Sequence, residues 1–147
     1  MGSNEQTLGV YERHFDRYIE GTVQETGLDH FQGRWVADIL ERIPKDGKIL
    51  EIGSAFGRDA RFMESLGYQP EVSDAFDAAV EYLNQNGFKA RKLNVLEDDI
   101  ASTYDLIIAS AVFLHFTEQE LRAVLQKVKN NLKPGGLLAF SVKNGDG

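Results

Sequence analysis

The sequence contains no cysteine, which excludes disulfides, thiolate metal sites, iron–sulfur ligation and cysteine nucleophiles. It has no continuous apolar stretch of about 18 residues, so no transmembrane helix is expected. The start, Met1-Gly2-Ser3-Asn4-Glu5, has neither a basic segment nor an apolar one, so no secretory signal is visible and a cytoplasmic protein is expected, with no membrane partner. Positive charge is also short. Sixteen basic residues face 23 acidic ones, a net charge of −7, and this balance argues against nucleic acid as a partner, because neutralising many phosphates needs a basic footprint. The basic residues that do gather, Lys89, Arg91 and Lys92 and then Arg122, Lys127, Lys129 and Lys133, read as solvated faces. Three scattered histidines without a His-x3-His spacing give no metal constellation.

What remains is an ordinary globular composition. The 147 residues are 42% hydrophobic and 27% charged, which suits one compact domain over residues 4–147; Met1-Gly2-Ser3 resembles a tag remnant. Helix and strand signals alternate. Tyr11, Phe15, Tyr18 and Ile19 form one stripe of an amphipathic helix. A second helix follows Asp29 as N-cap, with Phe31, Trp35, Ile39, Leu40 and Ile43 on one face, and Pro44 stops it. Lys48 to Ile52 reads as a buried strand between Gly47 and Gly53. A helix from about Arg58 to Leu66 ends at Gly67, strand Gln69 to Ser73 follows, and a helix with Phe76, Ala79, Val80 and Leu83 ends at Asn86-Gly87. Lys89 to Leu93 alternates like an exposed strand, and Tyr104 to Ser110 is apolar enough for a central one. Thr117 and Glu120 form a capping box for a helix with Leu121, Val124, Leu125, Val128 and Leu132 on its apolar face; Pro134-Gly135-Gly136 ends it, and Leu137 to Val142 is the last strand.

This order predicts an α/β fold: a Rossmann-like, mostly parallel sheet of about five strands, helices on both faces, and two N-terminal helices. Ligands of such sheets bind at the carboxyl ends of the strands, where strand order reverses. The loop Glu51-Ile52-Gly53-Ser54-Ala55-Phe56-Gly57-Arg58-Asp59 occupies such an end. Its small residues admit a ligand close to the backbone, and the following helix offers free N–H groups. Asp74, about 20 residues on, is placed to accept hydrogen bonds from ribose hydroxyls. Taken alone, the loop also reads as an ordinary tight turn, and Asp74 as a helix cap. Together they point to a nucleoside-bearing cofactor.

Gly57 arrives one residue early for the dinucleotide fingerprint G-x-G-x-x-G, and Arg58 stands where its last glycine would be. The arrangement acidic-x-Gly-x-small-x-Gly resembles instead the first motif of the class I S-adenosylmethionine-dependent methyltransferases. The resemblance extends to Val72-Ser73-Asp74-Ala75-Phe76, similar to that family's ribose-binding strand end, and to Asn94-Val95-Leu96, similar to its adenine-edge loop. Tyr104 to Phe116 resembles strand four with its trailing motif, and Leu132 to Leu137 the turn before strand five. Gly57-Arg58-Asp59-Ala60, Leu114-His115-Phe116 and Ser141 to Gly145 are similar to small bacterial methyltransferases of the tellurite-resistance type.

The resemblance implies S-adenosylmethionine as cofactor, S-adenosylhomocysteine as product, and a small-molecule methyl acceptor. It implies cofactor contacts from Glu51, Gly53, Ser54, Ala55, Gly57, Arg58, Asp74, Ala75, Phe76, Asn94, Val95, Leu96, Ala109 and Ser110. It also implies an N-terminal helix closing over the cofactor, with Tyr11 and Tyr18 lining the methionine end or else simply packing that helix. His115 is the best-placed candidate for a general base, ahead of His14 and His30, or else a polar residue ending a short helical turn, and Arg58 with Asp59 can orient the cofactor's amino-acid end or form an exposed pair. Two departures stand out: Ala55 replaces the usual middle glycine, and Asn94 the usual aspartate. No Asn/Asp-Pro-Pro-aromatic motif follows strand four, where Ser110-Ala111-Val112-Phe113 stands, which sets the amino-directed DNA enzymes aside. The family's final helix and strand pair are expected to be missing after Gly147, leaving strand five an open edge for self-association. A non-catalytic cofactor-binding module, or a piece of a larger methyltransferase, is the alternative; a nucleotide-dependent oxidoreductase is a more distant one.

Overall fold

Period-2 and period-3.6 segments alternate along the chain and stack into three layers. The structure, a computed structural model, describes residues 27–110 and 112–141. The expected helix from Tyr11 to Thr22, with Tyr11, His14 and Tyr18, lies outside these residues, as do Ala111 and Val142 onward. The elements in order are α1 (Phe31–Leu40), β1 (Ile49–Glu51), α2 (Arg58–Ser65), β2 (Glu71–Asp74), α3 (Asp77–Gln85), β3 (Arg91–Lys92), β4 (Tyr104–Ser110), a 3-10 turn (Phe113–His115), α4 (Glu118–Asn130) and β5 (Leu132–Ser141).

The sheet has the order β3-β2-β1-β4-β5 with every neighbouring pair parallel. Succession runs outward in both directions from β1, so the topological switch lies between β1 and β4. The alternation of β4 decides which helix covers which face. Leu106 and Ile108 point to one side, where they pack with Val36 and Leu40 of α1 and Phe62 and Met63 of α2. Ile107 and Ala109 point to the other, against Val124 and Val128 of α4. Each fully buried Leu or Ile on this strand contributes about 1.5–3 kcal/mol, so β4 anchors both layers. On the α1 side, α3 joins α2 through Leu83, Ala60 and Val72.

Several boundaries differ from the sequence expectation. The N-cap of α1 is His30, not Asp29, and no side chain caps it. The expected α1 stripe is rotated: Gly33, Val36 and Leu40 are buried, whereas Phe31 is 76% exposed. Helix α1 stops at Leu40, short of Pro44, because Arg42 and Ile43 donate to the carbonyls of Ile39 and Leu40 in tight turns. Strand β3 shrinks to two residues. Leu132 is not on the face of α4. That helix ends at Asn130, and Leu132 opens β5 opposite Tyr104. Pro134-Gly135-Gly136 therefore lies inside β5, where the register jumps from Tyr104↔Leu132 to Leu106↔Leu137. A bulge is where a strand tolerates proline, and Gly136 is tight enough there that a Cβ would meet the Tyr104 carbonyl oxygen at 2.9 Å. The capping box of α4 forms as its spacing predicts, with Thr117 Oγ1 accepting from Glu120 N–H at 3.1 Å and Glu120 Oε1 accepting from Thr117 N–H at 2.9 Å.

Candidate cofactor-binding site

The registers Glu51↔Val72 and Glu51↔Ile108 bring the carboxyl ends of β1, β2 and β4 to one edge of the sheet. Glu51, Asp74 and Ser110 are the last residues of these three strands. The chain leaving β1 turns through left-handed backbone at Gly53 (φ 73°), Ala55 (φ 54°) and Gly57 (φ 89°). Ala55 holds a conformation that costs a non-glycine residue about 1–2 kcal/mol. At Gly53 a Cβ would lie 2.5 Å from Val112 Cγ2, so any larger residue would have to displace the Val112 side chain as well as hold a left-handed backbone. Gly57 N-caps α2 with no side-chain bond.

The loop is stitched to the tip of β2. Ser54 N–H donates to the Ser73 carbonyl at 2.8 Å, Ser73 N–H donates back to Ser54 Oγ at 3.1 Å, and Ser73 Oγ donates to the Glu51 carbonyl at 2.6 Å. Asp74 completes the seam: its Oδ2 accepts from Ala55 N–H at 2.8 Å and its Oδ1 from Phe76 N–H at 3.2 Å. Asp74 thus braces the loop from two residues before the N-cap of α3, which is Phe76. Burial raises the Asp74 carboxyl to about 6, against the backbone N–H groups of Ala55, Phe76 and Ala75, which favour its charged form.

Glu51 is more extreme. It is 3% exposed, and its Oε1 has no hydrogen-bond partner among the described residues. Burial first, and then the charges of Asp59 and Asp74, push its carboxyl up to about 8 against the opposing pull of the Ser54 hydroxyl and the Arg58 guanidinium. Beside it, Asp59 at the start of α2 is also buried. Its Oδ2 accepts from Gln32 Nε2 at 2.8 Å and from Ser110 Oγ at 3.2 Å, and its Oδ1 accepts from Arg58 Nε at 3.3 Å. Gln32 Nε2 also donates to Ser110 Oγ at 2.8 Å, so α1, α2 and β4 meet in one polar knot.

The other expected contacts surround this centre. Leu93 N–H donates to the Asp74 carbonyl at 2.8 Å, which brings the Asn94-Val95-Leu96 turn next to the β2 tip. Asn94 Oδ1 accepts from Leu96 N–H at 3.1 Å, so its oxygen shapes the turn. Val95 and Ala109 are core side chains on the α4 face. Ala75 and Phe76 are half-buried, Phe76 against Phe56 and Ala79. His115 closes the 3-10 turn after β4, and burial lowers its pKa, leaving the imidazole neutral at physiological pH. No group of three or more metal-binding side chains occurs among the described residues, and no described helix is long and apolar enough to cross a membrane.

Two residues of this centre escaped the sequence reading: Gln32 and Val112. The signal for Gln32 was present. It shares the i, i+4, i+8 stripe of α1 with Val36 and Leu40, and a polar residue on a buried stripe needs a partner. Val112 carried no signal, since only the fold brings it against Gly53.

Buried carboxyl groups thus stand at the tips of β1 and β2, one with an oxygen lacking a donor among the described residues, beside a loop of left-handed backbone. The family described as "Methyltransferase domain" matches residues 22–147. A probable S-adenosyl-L-methionine-dependent methyltransferase, TehB of Haemophilus influenzae, is 26% identical over 141 residues, spanning 90% of this chain and 46% of that protein. The chain therefore spans about half the length of the curated relatives it matches. The crystal structure of the Haemophilus TehB superposes with a TM-score of 0.62 at 21% identity, covering 70% of this chain and 38% of that one. The complex of DhpI with SAM and HEP superposes with a TM-score of 0.80 at 17% identity, covering 99% of this chain and 69% of that one.

Proposed function

This chain belongs to the methyltransferase-domain family, and from that premise we propose that it binds S-adenosylmethionine at the carboxyl edge of its sheet and transfers the methyl group to a small-molecule acceptor. The observation that carries the reading is the pair of buried carboxylates, Glu51 and Asp74, flanking the left-handed loop Gly53–Gly57 at the switch point.

In this reading Asp74 receives the ribose, as its place at the tip of β2 suits, while the Asn94–Leu96 turn edges the adenine. Glu51, Arg58 and Asp59 face the amino-acid end. The cofactor's sulfonium supplies a methyl group already activated for in-line attack. The residues of the chain then have to hold the acceptor in line and exclude water, an orientation effect worth about 7–11 kcal/mol in favourable cases. A base is needed only where the acceptor must lose a proton, and there a neutral His115 suits the task, at about 10²–10⁴-fold in rate. The net charge of −7 and the lack of a DNA-directed motif after β4 favour a small acceptor over nucleic acid.

Thermal denaturation with S-adenosylmethionine, S-adenosylhomocysteine and NAD tests the cofactor. The first two are expected to raise the melting temperature by several degrees, since a ligand at a hundredfold excess over its dissociation constant stabilises by about 2.7 kcal/mol. A shift with NAD alone overturns the assignment. Binding without methyl transfer to any acceptor identifies a cofactor-binding module instead.

A further inference from the structure

The turn after β3 is clamped from outside by a single cation. Lys127 of α4 donates through Nζ to the Val95 carbonyl at 2.8 Å and to the Asp98 carbonyl at 2.7 Å. It is half-buried, so it does not belong to the solvated face expected of it. Inside the turn, Asn94 N–H donates to Asp98 Oδ2 at 2.9 Å and Leu96 N–H to Asn94 Oδ1 at 3.1 Å. The N–H groups of Glu97 and Asp98 both donate to the Asn94 carbonyl, at 3.0 and 2.8 Å. Leu93 N–H is taken by the Asp74 carbonyl. From Leu93 to Asp98, one amide is left over: the N–H of Val95 has no acceptor among the described residues, although Val95 is only 3% exposed.

A buried amide without an acceptor costs free energy that folded chains normally avoid. This one stands two residues past the seam with the tip of β2. Lys127 grips the carbonyl of the same residue, and the Val95 side chain packs with Val124 and Val128 of α4. The amide and the carbonyl flank one Cα and are linked through two soft dihedrals, so pinning the carbonyl and the side chain restricts where the N–H can aim. The turn closes through four hydrogen bonds of its own. What Lys127 adds is a fixed placement of that turn against α4 and hence against the sheet edge. We propose that Lys127 is a positioning residue for base recognition: by clamping the Val95 and Asp98 carbonyls, it holds the Val95 N–H ready to donate to a ring nitrogen of the cofactor's adenine.

The inference rests on the cofactor assignment above and on the Asn94–Leu96 turn edging the base. Titration calorimetry with S-adenosylhomocysteine and its 1-deaza, 3-deaza and 7-deaza adenine analogues tests it. Each analogue replaces one ring nitrogen by C–H and so removes one acceptor while keeping the shape. One of the three is expected to bind the parent protein about tenfold more weakly than S-adenosylhomocysteine, because the buried amide is then stranded. Lys127→Met keeps the stem and removes the ammonium. It is expected to bind S-adenosylhomocysteine about three- to tenfold more weakly and the sensitive analogue almost as the parent does, so the preference collapses. Lys127→Arg, which again offers a cation with N–H donors, is expected to recover most of it. In the parent protein, the Val95 amide proton is expected to shift on binding S-adenosylhomocysteine and to stay in place with the sensitive analogue. Equal affinity of the parent for all four compounds overturns the proposal and leaves the cofactor assignment intact. So does an equal loss for every compound in Lys127→Met, or a Val95 amide that does not respond. Absence of both S-adenosylmethionine and S-adenosylhomocysteine binding in the parent removes the cofactor assignment, and the proposal with it.

Discussion

Without ligand, Glu51→Gln is expected to melt at a higher temperature than the parent protein at pH 8.5, with the advantage shrinking as the pH falls to 6. The cause is the raised Glu51 pKa of about 8 in the folded chain, against about 4.3 for a glutamate in an unfolded one. Between those values the folded state holds a proton that the unfolded state has given up. Stability is therefore greatest below about pH 4–5 as far as this group is concerned, and declines as pH rises towards 8. Asp74, at about 6 in the folded chain, acts in the same sense over a lower window. Above pH 8 the parent protein must bury the Glu51 charge, whereas glutamine keeps the shape without it. Each unit of pKa difference corresponds to about 1.4 kcal/mol; because water reaching the ionised group relieves part of the burial penalty, we expect about 2–3 kcal/mol in favour of Glu51→Gln at pH 8.5. Melting curves at pH 6 and 8.5 decide the matter. A parent protein that gains stability over that interval contradicts the account.

Gly57→Ala is expected to destabilise the fold by about 2–5 kcal/mol, from a left-handed backbone and an overfilled contact acting together. Gly57 sits at φ 89°. A Cβ there would lie 2.6 Å from Phe88 Cε2 and 3.1 Å from Leu83 Cδ2. Leu83 is fully buried. The Phe88 ring lies under the Arg61 guanidinium, whose carbon is 4.6 Å from the ring centre, and Arg61 is tied to the Asn86 carbonyl. The ring cannot withdraw without disturbing that stack. Urea unfolding measures the effect, and a loss below about 1 kcal/mol would show that the loop relaxes more easily than the contacts indicate.

The elements most legible in the sequence were those whose signal is local. The run Tyr104 to Ser110 reads as a central strand because it is apolar on both faces, and it is one. The Thr117–Glu120 box reads as a helix start because its two hydrogen bonds need no tertiary help. Elements that depend on distant packing were less legible. Pro134-Gly135-Gly136 looks like a helix stop, yet it forms a bulge in β5 because the carbonyl of Tyr104 comes against it. The stripe of α1 was drawn through Phe31 rather than Gly33, although Gly33 is where the helix meets the Gly27 backbone and a Cβ would not fit. At the site, Asp74 and the glycine loop stand out through spacing alone. The Gln32–Asp59–Ser110 knot joins residues 27 and 78 positions apart; the stripe of α1 shows that Gln32 needs a partner, but no local pattern says which residues supply it.

A crystal structure with S-adenosylhomocysteine bound tests the central claim most directly. The account predicts an adenosine lodged between the Gly53–Gly57 loop and the Asn94–Leu96 turn, with its ribose hydroxyls on the Asp74 carboxylate. A nucleoside bound away from Asp74, or a soaked crystal in which Val112 still fills the space beside Gly53 and no nucleoside is present, would contradict it.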